Sequence, residues 1–209
     1  MDFLSRLFGR AAQGEPVVVV SGLPRSGTSM MMKMLEAGGL SVLTDGERVA
    51  DVDNPKGYYE VERVKNLEKE TDKSYVREAR GKVLKVISFL LKFLPDDNDY
   101  RIIFMRRDLN EVLASQNKML KHRAESGGTA DDKAMTEHYL NHLASIRVLA
   151  RKKDNWQVLE VRYDETVKDA KSVARQINQF LGGKLDEAKM TEAVDAELYR
   201  NRKDKLAKG

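Results

Sequence analysis

The sequence predicts an α/β fold: a three-layer α/β/α domain built on a central, mainly parallel sheet. Two observations carry this reading. Val17-Val18-Val19-Val20 is an unbroken β-branched run, which suits a strand covered on both faces. Three further apolar runs, at residues 83–87, 100–105 and 156–163, alternate with stretches of helical periodicity. Strands and helices taking turns along the chain give parallel strands joined by crossovers. In that architecture ligands sit at the carboxyl ends of the strands.

Composition sets limits on what such a domain can do. The chain of 209 residues is read as one domain over 1–209. There is no cysteine, so disulfides and thiol chemistry are excluded. His122, His138 and His142 lack the HExxH context and are read as surface or partly buried residues. The net charge is only +4, with both signs mixed along the chain. That balance argues against nucleic acid as a partner and is compatible with a small polyanion. No apolar run is long enough for a transmembrane segment, and a cytoplasmic location is expected.

The elements follow in order. Residues 1–16 hold Phe3, Leu4, Leu7 and Phe8 on one helical face beside Arg6 and Arg10. This amphipathic segment either packs on its own domain or makes weak peripheral contact with a membrane or partner through residues 1–10. The apolar part is too short for a signal peptide. The valine strand then leads through Ser21-Gly22-Leu23-Pro24-Arg25-Ser26-Gly27 into a helix carrying Met30, Met31, Met34 and Leu35, stopped at Gly38-Gly39. Residues 40–43 read as a short strand or extended piece and 44–60 as a long acidic loop. Residues 61–80 are charged and expected to be helical. After the strand at 83–87, a short apolar helix ends at Pro95. The strand at 100–105 ends in Arg106-Arg107-Asp108. A helix follows with Val112, Leu113, Gln116, Met119 and Leu120 on one side. Residues 121–134 read as a mobile loop. The next helix turns Met135, Tyr139, Leu143, Ile146 and Leu149 inward. The strand at 156–163 and a helix at 170–181, with Val173, Ile177, Phe180 and Leu181 buried, complete the sheet. A last helix runs over 186–198, and 199–209 is a basic tail.

The loop after the first strand carries the chemistry. A helix N-terminus fed by a glycine loop presents free N–H groups and the positive end of a dipole, a ready anion site. Gly22 and Gly27 have the spacing of a G-x-x-x-x-G-K-[ST] phosphate loop. Thr28 stands where that motif has lysine, and the positive charge has moved inside the loop to Arg25. A nucleotide kinase also needs a carboxylate for Mg²⁺ near a neighbouring strand end, whereas the strand at 100–105 ends in arginines. The residues therefore read as a P-loop-like phosphate cradle without the metal apparatus.

These motifs together resemble the sulfotransferase family. Pro24-Arg25-Ser26-Gly27-Thr28-Ser29 resembles its 5′-phosphosulfate loop, P-[KR]-S-G-T-[ST]. Arg107 followed eight residues later by Ser115 is similar to its 3′-phosphate motif, with Leu109 where the family usually has proline. Arg162-Tyr163-Asp164-Glu165, Ile177-Asn178-Gln179-Phe180-Leu181-Gly182 and Asn54-Pro55-Lys56-Gly57-Tyr58-Tyr59-Glu60 resemble further family segments. The resemblance implies the cofactor 3′-phosphoadenosine 5′-phosphosulfate (PAPS), the product 3′,5′-adenosine bisphosphate (PAP) and no required metal. It implies sulfuryl transfer to a hydroxyl or amine of a small-molecule or peptide acceptor. On this reading Pro24 and the N–H groups of residues 26–29 hold the 5′ end. Arg25 neutralises the leaving oxygen, Arg107 and Ser115 hold the 3′-phosphate, and Tyr163 contacts adenine. A general base is expected from the acidic loop, at Asp45 or Glu47 by position after the first helix, or at Glu60. The alternatives are a degenerate P-loop kinase and a nucleotide-binding protein without transfer.

Overall fold

The computed structural model describes residues 14–45, 59–122 and 132–195. The amphipathic segment 1–10, Glu47 and the basic tail lie outside them, as does most of the 121–134 loop. Four parallel strands form one sheet in the order β2-β1-β3-β4. They are β1 (Val17–Gly22), β2 (Val83–Lys85), β3 (Tyr100–Arg106) and β4 (Trp156–Arg162). Every residue of β1 is buried. That is the expected fate of a valine run in a central parallel strand, each such side chain contributing about 1.5–3 kcal/mol by leaving water. The expected strand at 40–43 is reduced to one parallel bridge, Val42 to Val83.

Two cores lie on opposite faces of the sheet, so the architecture is three-layered. Val18, Val20, Ile103, Met105 and Val161 face α1 (Thr28–Ala37), α6 (Ala170–Leu181) and α7 (Glu187–Glu192) through Met31, Leu35, Ile177 and Met190. Val17, Val19, Ile102, Phe104 and Trp156 face the other way. They meet α3 (Leu109–His122) and α4 (Asp132–Lys152) through Val112, Leu113, Tyr139, Leu143 and Ile146. Alternation of side chains along each strand sorts the residues into these two sets. Helix α1 ends as its glycines predict: Gly39 has φ +96°, and Leu40 N–H donates to the Leu35 carbonyl at 3.0 Å.

The charged stretch at 61–80 departs from the expected helix. It breaks into α2 (Glu62–Lys65), turns, and a 3₁₀ helix over Ser74–Ala79. The Asp72 carboxylate accepts from the Ser74 N–H at 2.9 Å, a local bond that competes with helix continuation. Within α6, Phe180 and Leu181 are partly rather than fully buried. The last helix stops at Glu192, short of the expected 198.

A second 3₁₀ helix, Ser88–Phe93, docks on α4 through rings. Phe89 stacks on His142 with centroids 3.8 Å apart, and His142 Nε2 lies 2.9 Å from Ser88 Oγ. Burial, then His138 and Lys92, hold His142 below the usual imidazole value of 6.5. The unfolded chain therefore binds the proton more readily, and folded stability falls as pH drops below that value. Urea unfolding should show a midpoint lower at pH 5 than at pH 8, with the difference reduced in His142→Asn.

Candidate active site

The carboxyl ends of β1, β3 and β4 deliver the loop 23–27, Arg107 and Tyr163, the first residue of α5 (Tyr163–Lys168), to one edge of the sheet. The loop is held in an unusual shape. Arg25 has φ +68° and Gly27 φ +100°, a left-handed conformation that is costly for arginine and free for glycine. Arg107 from the end of β3 holds the strained residue, its Nη1 donating to the Arg25 carbonyl at 3.2 Å. A Cβ on Gly27 would collide with the Tyr163 ring. At Gly22 a Cβ would meet the Met105 carbonyl at 2.8 Å and Ser26 Oγ. Both glycines are thus required for close packing, not only for the turn.

The N-cap of α1 is Gly27, which has no side chain to cap the helix, an arrangement in which helix N-termini receive anions. Ser26 is placed differently from the sequence reading. Its N–H closes a turn onto the Leu23 carbonyl at 3.1 Å, and its hydroxyl is buried without a hydrogen-bond partner among the described residues. Thr28 is 8% exposed, while Ser29 Oγ accepts from Lys85 Nζ at 3.3 Å.

The two expected anion groups are joined rather than separate. Arg25 Nε donates to Ser115 Oγ at 2.9 Å. Arg107 forms a buried ion pair with Glu111, Nε to Oε2 2.9 Å, with side chains 8% and 3% exposed. Its guanidinium also lies over the Tyr163 ring, 4.4 Å from the centroid. Tyr163 itself is 4% exposed. Packed against Gly27 and Arg107, it supports the loop, and little of its ring is open to a base.

Of the two candidate carboxylates among the described residues, Asp45 and Glu60, Glu60 stands beside the start of α1 through Lys85. It lies 3.5 Å from Lys85 Nζ and 3.3 Å from Lys65 Nζ. Asp45 is occupied otherwise, accepting from the Glu62 N–H at the start of α2. Two residues that contact the candidate site escaped the sequence reading. Lys85 is 8% exposed and links Ser29 to Glu60; the available signal was a lysine inside an otherwise apolar strand. Glu111 sits four residues after Arg107, one helical turn away, and that spacing was legible.

The sulfotransferase domain family matches residues 15–207 of the chain. Among solved structures, the sulfotransferase domain of the Synechococcus PCC 7002 olefin synthase is similar with a TM-score of 0.52 and 17% identity, covering 94% of this chain and 84% of that one. Retinol dehydratase, solved with androsterone and the inactive cofactor PAP, is similar with a TM-score of 0.50 and 17% identity. That match covers 91% of this chain and 65% of the retinol dehydratase chain. At these identities the two structures speak for the fold. No curated protein matches the sequence.

Proposed function

We propose, starting from the fact that this chain belongs to the sulfotransferase domain family, that it transfers the sulfuryl group of PAPS to a small-molecule or peptide acceptor. The observation that supports the cofactor is the joining of Arg25, Ser115 and Arg107 at the mouth of the α1 N-terminus. A nucleotide with phosphate at both ends matches a cradle of N–H groups on one side and Arg107 with Ser115 on the other. In this reading the N–H groups at the start of α1 and the Ser29 hydroxyl hold the 5′-phosphosulfate. Pro24 shapes the loop, and Arg107 with Ser115 takes the 3′-phosphate. Tyr163 holds Gly27 and Arg107 in place, with adenine contact confined to its rim.

The step balances without a redox partner. An acceptor oxygen or nitrogen attacks sulfur, and the bond from sulfur to the bridging oxygen breaks. PAP leaves with the electron pair. Arg25 meets the growing charge on the bridging oxygen and stays a cation throughout, because guanidinium does not give up its proton. Lys85, beside Ser29, is placed to neutralise the sulfuryl oxygens. Glu60 takes the acceptor proton. Glu60→Gln should lower kcat by about 10²–10⁴ with PAP affinity unchanged. Turnover equal to the parent protein would remove Glu60 from the proton path.

The test of the function is a screen of hydroxyl and amine acceptors with sulfur-labelled PAPS. Label carried to an acceptor, and dependent on Arg25, is the expected result. PAP binding without transfer to any acceptor would favour the silent nucleotide-binding reading.

A further inference from the structure

Helix α4 turns one face away from the rest of the protein. Its inward side buries Tyr139, Leu143 and Ile146. On the opposite side Leu140 is 53% exposed and Val148 50%. Only four large apolar side chains are exposed among the described residues. Two of them share this face, so they form a patch rather than a scatter. Ala144 lies midway between them and is exposed. Glu137 and Arg151, both exposed, bound the stripe at its two ends. At 3.6 residues per turn the five side chains fall within about 80° of one another, along about 21 Å of helix.

The symmetry of the stripe identifies what fits it. From Glu137 to Arg151 the spacings are 3, 4, 4 and 3 residues, centred on Ala144. A two-fold axis at Ala144 therefore lays the stripe on a copy of itself, as a self-complementary interface requires. Leu140 then meets the partner's Val148, and Glu137 meets the partner's Arg151. Each contact occurs twice, so two apolar pairs are flanked by two pairs of opposite charge. Parallel packing would instead set Glu137 on Glu137 and Arg151 on Arg151, and like charges repel. Antiparallel packing also opposes the two helix dipoles. The small side chain at the centre lets the axes approach to about 8 Å. Arg147, at the edge of the stripe, is taken by Glu160 at 3.1 Å and does not compete for Glu137.

We propose that this face of α4 is the contact between two copies of the chain, packed antiparallel about a two-fold axis at Ala144. Helix α4 runs opposite to β4. Arg147 bonds Glu160 towards the strand's end, while the helix stops at Lys152, just before the strand begins at Trp156. The two-fold thus sends the carboxyl edges of the two sheets to opposite ends of the dimer and leaves both loops at 23–27 open. One helix from each copy makes a contact at the small end of specific interfaces, so the dimer should be micromolar rather than nanomolar.

Sedimentation velocity on the full chain, over about two decades of concentration up to about 200 µM, should show a reversible monomer–dimer equilibrium. Ala144→Glu sets two carboxylates against each other at the crossing and should leave monomer alone, with the melting temperature unchanged. Glu137→Arg faces arginine with arginine twice and should weaken the dimer about tenfold or more. Adding Arg151→Glu brings opposite charges together again with their sides exchanged and should restore it. The chain has no cysteine, so Ala144→Cys introduces a thiol whose disulfide partner is the same residue of a second copy. Two such residues at the crossing lie within disulfide reach. Mild oxidation should link Ala144→Cys into a covalent dimer much faster than Ser145→Cys, about 100° further round the helix. Monomer alone at the highest concentration would overturn the proposal; it is the result for a face covered by another segment of this chain or by a different protein. A dimer indifferent to Ala144→Glu would overturn it too, because another surface would then hold the copies together. Failure of the charge exchange to restore association would do the same. If Ala144→Glu does not fold, the charge exchange and the cross-link still decide.

Discussion

Arg25→Ala should lower the turnover of sulfuryl transfer by about 10²–10³ while PAP still binds. That range is the typical effect of removing one preorganised donor aimed at developing charge. The split between turnover and binding follows from where Arg25 sits. Its side chain rests on Ser115 and is a hydrogen-bond donor of the loop, whereas the helix α1 N–H groups and Arg107 remain to hold the nucleotide. Alanine would still have to adopt φ +68°, so the loop shape is retained at a similar backbone cost. Arg25→Gly relieves that cost and serves as a control for loop strain. Both variants should lose turnover alike. Single-turnover transfer from PAPS, with PAP affinity measured in parallel, checks the pair. A variant that turns over normally would take Arg25 out of the reaction.

Arg107→Ala should have two effects that can be separated. The first is on binding: loss of a guanidinium from the 3′-phosphate position should weaken PAP by about ten- to a hundredfold. The second is on folding. Glu111 is 3% exposed and loses this ion-pair partner, and removing one member of a buried pair costs about 3–5 kcal/mol. Arg107 also holds the strained Arg25 carbonyl and covers the Tyr163 ring, so the loop loses support as well. In a chain of this size the melting temperature should fall by on the order of 10 °C. The double variant Arg107→Met with Glu111→Leu replaces the pair by apolar side chains and should recover most of the stability. It should recover none of the PAP affinity. Recovery of both would mean that Arg107 acts on the nucleotide only through folding.

Much of the fold was legible because strong local signals agreed with the tertiary environment. The valine run, the Gly38-Gly39 stop and the helix at 170–181 are each places where propensity, pattern and packing agree. The stretch at 61–80 failed for the opposite reason. Its charges look helical, but Val64, Leu67, Tyr75 and Val76 must all reach one core, and turns between them achieve that better than a continuous helix. At the site, Arg25, Arg107 and Ser115 were legible as residue types at informative spacings. Their mutual contacts were not, because they depend on the register of β1 against β3 and on the left-handed backbone at Arg25. Tyr163 shows the same limit: its position at a strand end marked it for the ligand, but its ring is covered by Gly27 and Arg107. Lys85 was hidden in an apolar run that reads as pure core, and only the pairing of β2 with β1 brings it to Ser29.

The proposed nucleotide site recognises phosphate at both ends through protein groups alone. Calorimetric titration of PAP into metal-free protein in EDTA tests it most directly, with ATP, which lacks the 3′-phosphate, as the comparison. One molecule of PAP should bind per chain without metal, and ATP should be weaker by at least about tenfold, the value of one charged hydrogen bond. Equal affinity for the two nucleotides, or binding that appears only with Mg²⁺-ATP, would contradict it.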